Sequence, residues 1–139
     1  MNASFEEKSV WIQLVSLLVV LGGYFVVAGR LLADGVTELP AFVPLFVVTI
    51  VLMVIVIVIG HVFVAVLSRP EPRDERDRLI GWRAESNASW ILGAGTFLAL
   101  NGLVFGFASV WIAHLLLLSL FLSEVASLAL QLLYYRRGM

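Results

Sequence analysis

Glu124, His61, Ser127 and Gln131 carry titratable or hydrogen-bonding atoms inside long apolar runs and form the candidate intramembrane polar site. Glu124, Ser127 and Gln131 are spaced i, i+3, i+7, which puts them on one face of a helix. A charged carboxylate in hydrocarbon is strongly disfavoured, so Glu124 is expected to be protonated or bonded. An ionisable group at that depth is a functional candidate by default, for a proton or ion path. His61 falls within about 5 Å of Glu124 in depth at ~1.5 Å per residue, so the two could pair if their helices are neighbours. His114 lies ten positions before Glu124, roughly 15 Å along the axis, too far to share a site within one chain. A metal centre built from His61, His114 and Glu124 would need them converged, and the depths oppose it. The plainer roles are structural: Glu124 as interhelical glue or a partner contact, His61 as a packing histidine, His114 as an outer-interface residue. Asn101 reads as an interhelical hydrogen bond, and Gln13 shares a face with Ser9, Ser16 and Tyr24.

The elements that must position these groups are membrane helices. Of 139 residues, 61% are hydrophobic and only 14% charged, against about 25% charged in a soluble domain. A net charge of −1 gives no basic field for nucleic acid, and without cysteine there is no disulfide or thiolate site. The length allows one domain. It reads as all-α and polytopic: four transmembrane helices in two hairpins, over residues 10–32, 41–67, 88–108 and 110–133, joined by a charged cytoplasmic hinge at 68–86. The first run is too long for a signal-peptide core, has acids in its leading segment and lacks a small-x-small cleavage site, so it reads as a span. The Val- and Ile-rich second run would suggest a strand in water. At 27 nearly unbroken apolar residues it must be a helix in lipid, where the backbone has to satisfy itself. Asp34-Gly35 signals a turn, and Pro40 suits a helix start. In the hinge, Pro70 and Pro72 stop one helix, and Arg73-Asp-Glu-Arg-Asp-Arg78 makes a first turn with Asp74 and Arg78 at i, i+4.

Two faces are built for close packing. Ala88, Gly95, Ala99, Gly102 and Gly106 fall on one stripe, the last two as a GxxxG pair, and small residues let helix backbones approach. Ser119, Ser123, Ser127 and Gln131 repeat at i+4 on the last span. Whether either face meets a helix of the same chain or of a twin is open at this point.

Lys and Arg set the orientation. Lys8, the hinge arginines (Arg69, Arg73, Arg76, Arg78 and Arg83) and Arg136 and Arg137 share one side of a four-crossing topology, and only Arg30 is on the other. Positive-inside then predicts a multi-pass protein of a prokaryotic cytoplasmic membrane, with both termini and the hinge inside. Trp11, Trp82, Trp90, Tyr134 and Tyr135 cluster at the inner boundary and Trp111 at the outer one, as aromatic belts do.

Asp74-Glu-Arg-Asp-Arg-Leu-Ile80 followed by Arg83-Ala84, with Trp111-Ile-Ala-His-Leu-Leu-Leu-Leu118 and Gln131-Leu-Leu-Tyr-Tyr-Arg-Arg137, resembles a family of small bacterial and archaeal membrane proteins known by a domain-of-unknown-function label. The likeness covers the second half, and the first half by hydropathy only. It implies a four-helix integral membrane protein and lends no catalytic residue.

No nucleophile–base pair, phosphate loop or metal spacing appears, so the reading is not an enzyme and has no cofactor. The expected function is structural or accessory: a module that associates with itself or with a larger membrane complex, with the lipid bilayer as its other partner and no nucleic acid. Asp74, Glu75, Arg76 and Arg78 are the expected cytoplasmic contact. The alternative is a small oligomeric transporter or ion-conducting protein that uses Glu124.

Overall fold

A computed structural model describes residues 5–67 and 74–138, and among these there are helices and turns only. Four long helices follow in order: α1 (Phe5–Ala33), α2 (Val43–Leu67), α3 (Glu75–Val104) and α4 (Ser109–Arg137). A 3-10 turn, Leu39–Phe42, leads into α2. Three segments are long and apolar enough to cross a membrane: Phe5–Ala33, Leu39–Leu67 and Ser109–Arg137. α3 is not one of them. Its first part carries Glu75, Arg76, Asp77, Arg78, Arg83 and Glu85, and its later part is diluted by Asn87, Thr96, Asn101 and several glycines.

Two expected boundaries change. Residues 75–86 of the hinge are the start of α3: the helix that begins at the first turn expected around Arg73–Arg78 runs unbroken into the third apolar stretch. Asp74 caps it through a capping box: its carboxylate accepts from the Asp77 N–H at 2.7 Å, and the Asp77 carboxylate accepts from the Asp74 N–H at 3.2 Å. The hinge residues Arg69, Pro70, Glu71, Pro72 and Arg73 lie outside the described residues. At the other end α3 stops at Val104 rather than 108. Gly106 takes a φ of 75° there, so it serves as a turn residue and not as part of the helical packing stripe. The Phe107 N–H donates to the Gly102 carbonyl (2.9 Å) and the Gly106 N–H to that of Leu103 (3.1 Å), which is the Schellman pattern. α1 ends the same way around Gly35 (φ 87°), with Val36 bonded to Leu31 and Gly35 to Leu32. One turn chemistry therefore closes both hairpins at the same end of the molecule.

The helices line up in the order α2, α1, α4, α3: α3 packs on α4, α4 on α1, and α1 on α2. The α3–α4 seam is the closest. α3 buries Ile80, Ala84, Ala88, Gly95, Ala99 and Gly102, and α4 buries Ser119, Ser123 and Ser127. A Cβ added at Gly95 would fall on the Ser119 side chain, so this contact requires glycine. The small stripe of α3 thus serves a helix of its own chain. At one end α1 meets α4 through Val10 and Leu14 against Leu128 and Leu132. At the other end Tyr24, Ala28, Phe42 and Val110 form a second core. Along α2 itself only Thr49 and Val64 are buried, so it offers apolar surface nearly all round, as a helix in lipid does.

Candidate functional site

α1 ties its neighbours with two histidine links of the same design. His61 Nδ1 faces the Ile57 carbonyl at 2.9 Å, and His114 Nδ1 faces the Val110 carbonyl at 2.7 Å. A carbonyl only accepts, so both rings carry their proton on Nδ1. In the neutral ring Nε2 is then a pure acceptor. The Ser9 hydroxyl donates to His61 Nε2 (2.9 Å), and the Tyr24 hydroxyl donates to His114 Nε2 (3.1 Å). Gln13 Nε2 stands 3.5 Å from His61 Nε2 and 3.4 Å from the Ser9 oxygen. His114 is buried, stacked on Tyr24 and edge-on to Phe42 at 4.7 Å. The ring is a core contact joining α1, α4 and the entry to α2.

The polar face of α4 opens into a cleft instead. α1 and α3 flank α4 without packing extensively on each other, leaving a cavity of about 480 Å³. Three stripes line it: Glu6, Val10 and Gln13 from α1, Arg78, Gly81, Glu85, Ser89 and Leu92 from α3, and Glu124, Ser127 and Gln131 from α4. Along α3 the lining runs from Asp77 to Leu92, roughly 22 Å at helical rise. Gly95 abuts Ser119, and Ser123 Oγ donates to the Ala88 carbonyl at 3.2 Å. This register sets Glu124 beside the charged half of α3, with Glu85 less than a turn before Ala88.

Within the cleft some groups are satisfied and some are not. Asp77 completes the cap of α3 and accepts from the Tyr135 hydroxyl at 2.9 Å. Gln131 Nε2 reaches Ser127 Oγ at 3.5 Å. The side chains of Glu85, Glu124 and Arg78 have no hydrogen-bond or ion-pair partner among the described residues. The arrangement can hold a cationic group or a proton between carboxylates on facing helices, or receive a polar side chain from another protein. Among the described residues no cluster of three His, Asp or Glu is placed to hold a metal ion.

Glu124, Ser127 and Gln131 share the cleft as their spacing implied, whereas His61 sits on the far side of α1 with Ser9. The pairing of His61 with Glu124 therefore does not form: equal depth is not adjacency, and α1 stands between α2 and α4. Asn101 donates to the Phe97 carbonyl of its own helix at 2.7 Å, not across helices. Asp74 is the cap of α3, Glu75 lies in its first turn, and Arg76 is engaged within the chain. Arg78 alone of that group faces the cleft. Glu6, Asp77, Glu85 and Tyr135 are site residues that hydropathy did not single out. For Glu85 the signal was the i+3/i+4 run of Arg78, Gly81, Glu85 and Ser89, which crosses from the charged segment into the third span.

Comparison with protein-family models, curated proteins and solved structures finds no match. No residue role is carried over from the family resemblance.

Proposed function

We propose that the chain is a four-span protein of a prokaryotic cytoplasmic membrane that works as an accessory module, seating a second copy or a larger membrane protein against its open flank. α3 is the fourth crossing in this reading. Its residues 88–104 are about 17 residues, roughly 26 Å, which crosses most of a ~30 Å hydrocarbon layer. Lys and Arg placement supports both termini inside. The observation that carries the functional reading is the cleft: α1 and α3 leave the Glu124 face of α4 uncovered, and the Glu124 carboxylate has no partner among the described residues. Charges at membrane depth are retained where something pairs them. A cysteine or photo-crosslinker at Ser89 should trap a partner or a twin in native membranes. A protein that stays an uncrosslinked monomer there, and in native mass measurement from nanodiscs, would refute the reading.

One observation favours a transporter. Glu85 and Glu124 line the same cavity from facing helices, which is an arrangement for passing a cation or proton. Proteoliposome flux would then fall at least tenfold in Glu124→Gln. Equal flux in the variant would exclude this use of the acid.

A further inference from the structure

We infer that the α1–α2 seam is a binding site for an anionic phospholipid, with its head on Arg136 and Arg137 and one acyl chain in the groove below them. A groove of about 550 Å³ runs along the seam, lined by Trp11, Ile12, Val15, Val56, Ile59 and Phe63. Its lining is almost entirely hydrocarbon, which suits an acyl chain. The groove has a direction. Gly60 abuts Ile12, and Ser16 and Val56 lie one turn further along, so Trp11 and Phe63 form the mouth and Ser16 and Val56 the deep end.

The mouth is basic. The Arg136 guanidinium lies over the Trp11 ring, 5.7 Å from its centre, which brings the end of α4 to the start of α1. Arg137 follows it in the last turn of α4. Positive charge at one end and an apolar trough at the other fit an amphiphile with an anionic head. The polarity matches a leaflet lipid, whose head is at the surface and whose tail points inward. A soluble anion would leave the trough empty, and a neutral lipid would leave the bases unmatched.

The inference rests on the membrane reading, which places the Lys8–Trp11 end at a bilayer surface. Each basic side chain near an anionic head is expected to contribute about fivefold in affinity, so Arg136→Gln with Arg137→Gln should cost about thirtyfold. The test uses the full chain with Trp82, Trp90 and Trp111 changed to Phe, so that Trp11 is the sole emitter. It is reconstituted in phosphatidylcholine vesicles containing brominated-chain phosphatidylglycerol or brominated-chain phosphatidylcholine. Trp11 emission should be quenched at a roughly thirtyfold lower fraction of the anionic lipid, and the double glutamine variant should bring the two curves together. Coincident curves in the parent chain would overturn the site, as would an unmoved anionic curve in the variant. Quenching by neither lipid would mean that a polypeptide covers the groove, and would also overturn it. If all four tryptophans of the unmodified chain escape quenching, the membrane reading itself has failed. Native mass spectrometry of the unmodified chain, comparing phosphatidylglycerol with phosphatidylcholine retained per molecule, gives the same decision without the tryptophan changes. Equal retention again refutes the site.

Discussion

Gly95→Ala tests the register on which the cleft depends. A Cβ built at Gly95 falls on both Oγ and Cβ of Ser119, while the Ser119 Cα is 3.6 Å away. Rotating the serine moves Oγ but not Cβ, so no rotamer relieves the overlap and the helices must part. Overpacking of this kind costs about 1–3 kcal/mol. Alanine recovers up to about 1 kcal/mol over glycine in a helix, so a net loss of roughly 1–2 kcal/mol is expected. Ser119→Ala keeps the offending Cβ and should not rescue the variant. Ser119→Gly leaves only Cα, at ordinary contact distance, and should rescue most of it, because the swap moves the small residue from one side of the seam to the other. The lost Ser119 hydroxyl bond, 2.7 Å to the Leu115 carbonyl, is local to α4 and does not hold the seam.

The assay is reversible unfolding in mixed micelles for the single, double and swapped variants, read as a double-mutant cycle. A coupling energy of about 1 kcal/mol or more is expected between Gly95→Ala and Ser119→Gly. The reasoning is refuted if Gly95→Ala is as stable as the parent. It is equally refuted if Ser119→Ala rescues as well as Ser119→Gly, since the contact would then be with the hydroxyl alone.

Tyr24→Phe removes the hydroxyl that reaches His114 Nε2 and leaves the ring stack in place. Bonds of this kind in membrane proteins are worth about 0.6 kcal/mol and at most about 1.7, so the same unfolding assay should show a small loss and not a collapse. Asp74→Ala removes the cap of α3 and should cost about 0.5–2 kcal/mol. The effect should be confined to the first turn, as faster hydrogen exchange at Asp77 and Arg78 with unchanged protection from Ala88 onward.

Hydropathy and spacing revealed much of the fold because long apolar runs have few ways to satisfy their backbone. A Val- and Ile-rich run such as α2 has one solution in hydrocarbon, the helix, whatever its propensity in water. Turn chemistry at Asp34-Gly35 and the small residues of α3 were equally readable, since a positive φ and a close backbone approach each select glycine. Neighbour relations were not. Nothing in the depth of His61 or Glu124 says that α1 stands between their helices, because that choice is made by side-chain fit at Val10, Leu14, Leu128 and Leu132. Gly106 shows the same limit on a smaller scale. GxxxG spacing describes a face only while the helix continues, and here it stops two residues earlier.

The cleft itself follows from two stripes running side by side on α3. One, Ile80, Ala84, Ala88, Gly95, Ala99 and Gly102, is buried. It is small from Ala84 onward and holds α3 on α4. The adjacent one, Arg78, Gly81, Glu85, Ser89 and Leu92, is polar at all but its deep end and faces the gap. Dividing the helix between a hinge at 68–86 and a span at 88–108 hides the second stripe, because the stripe crosses that boundary. In one continuous helix the same charges are carried alongside the Glu124–Gln131 face of α4. What looked like one isolated acid in oil is thereby one wall of a polar slot, and the opposite wall was in the sequence all along as the supposed hinge.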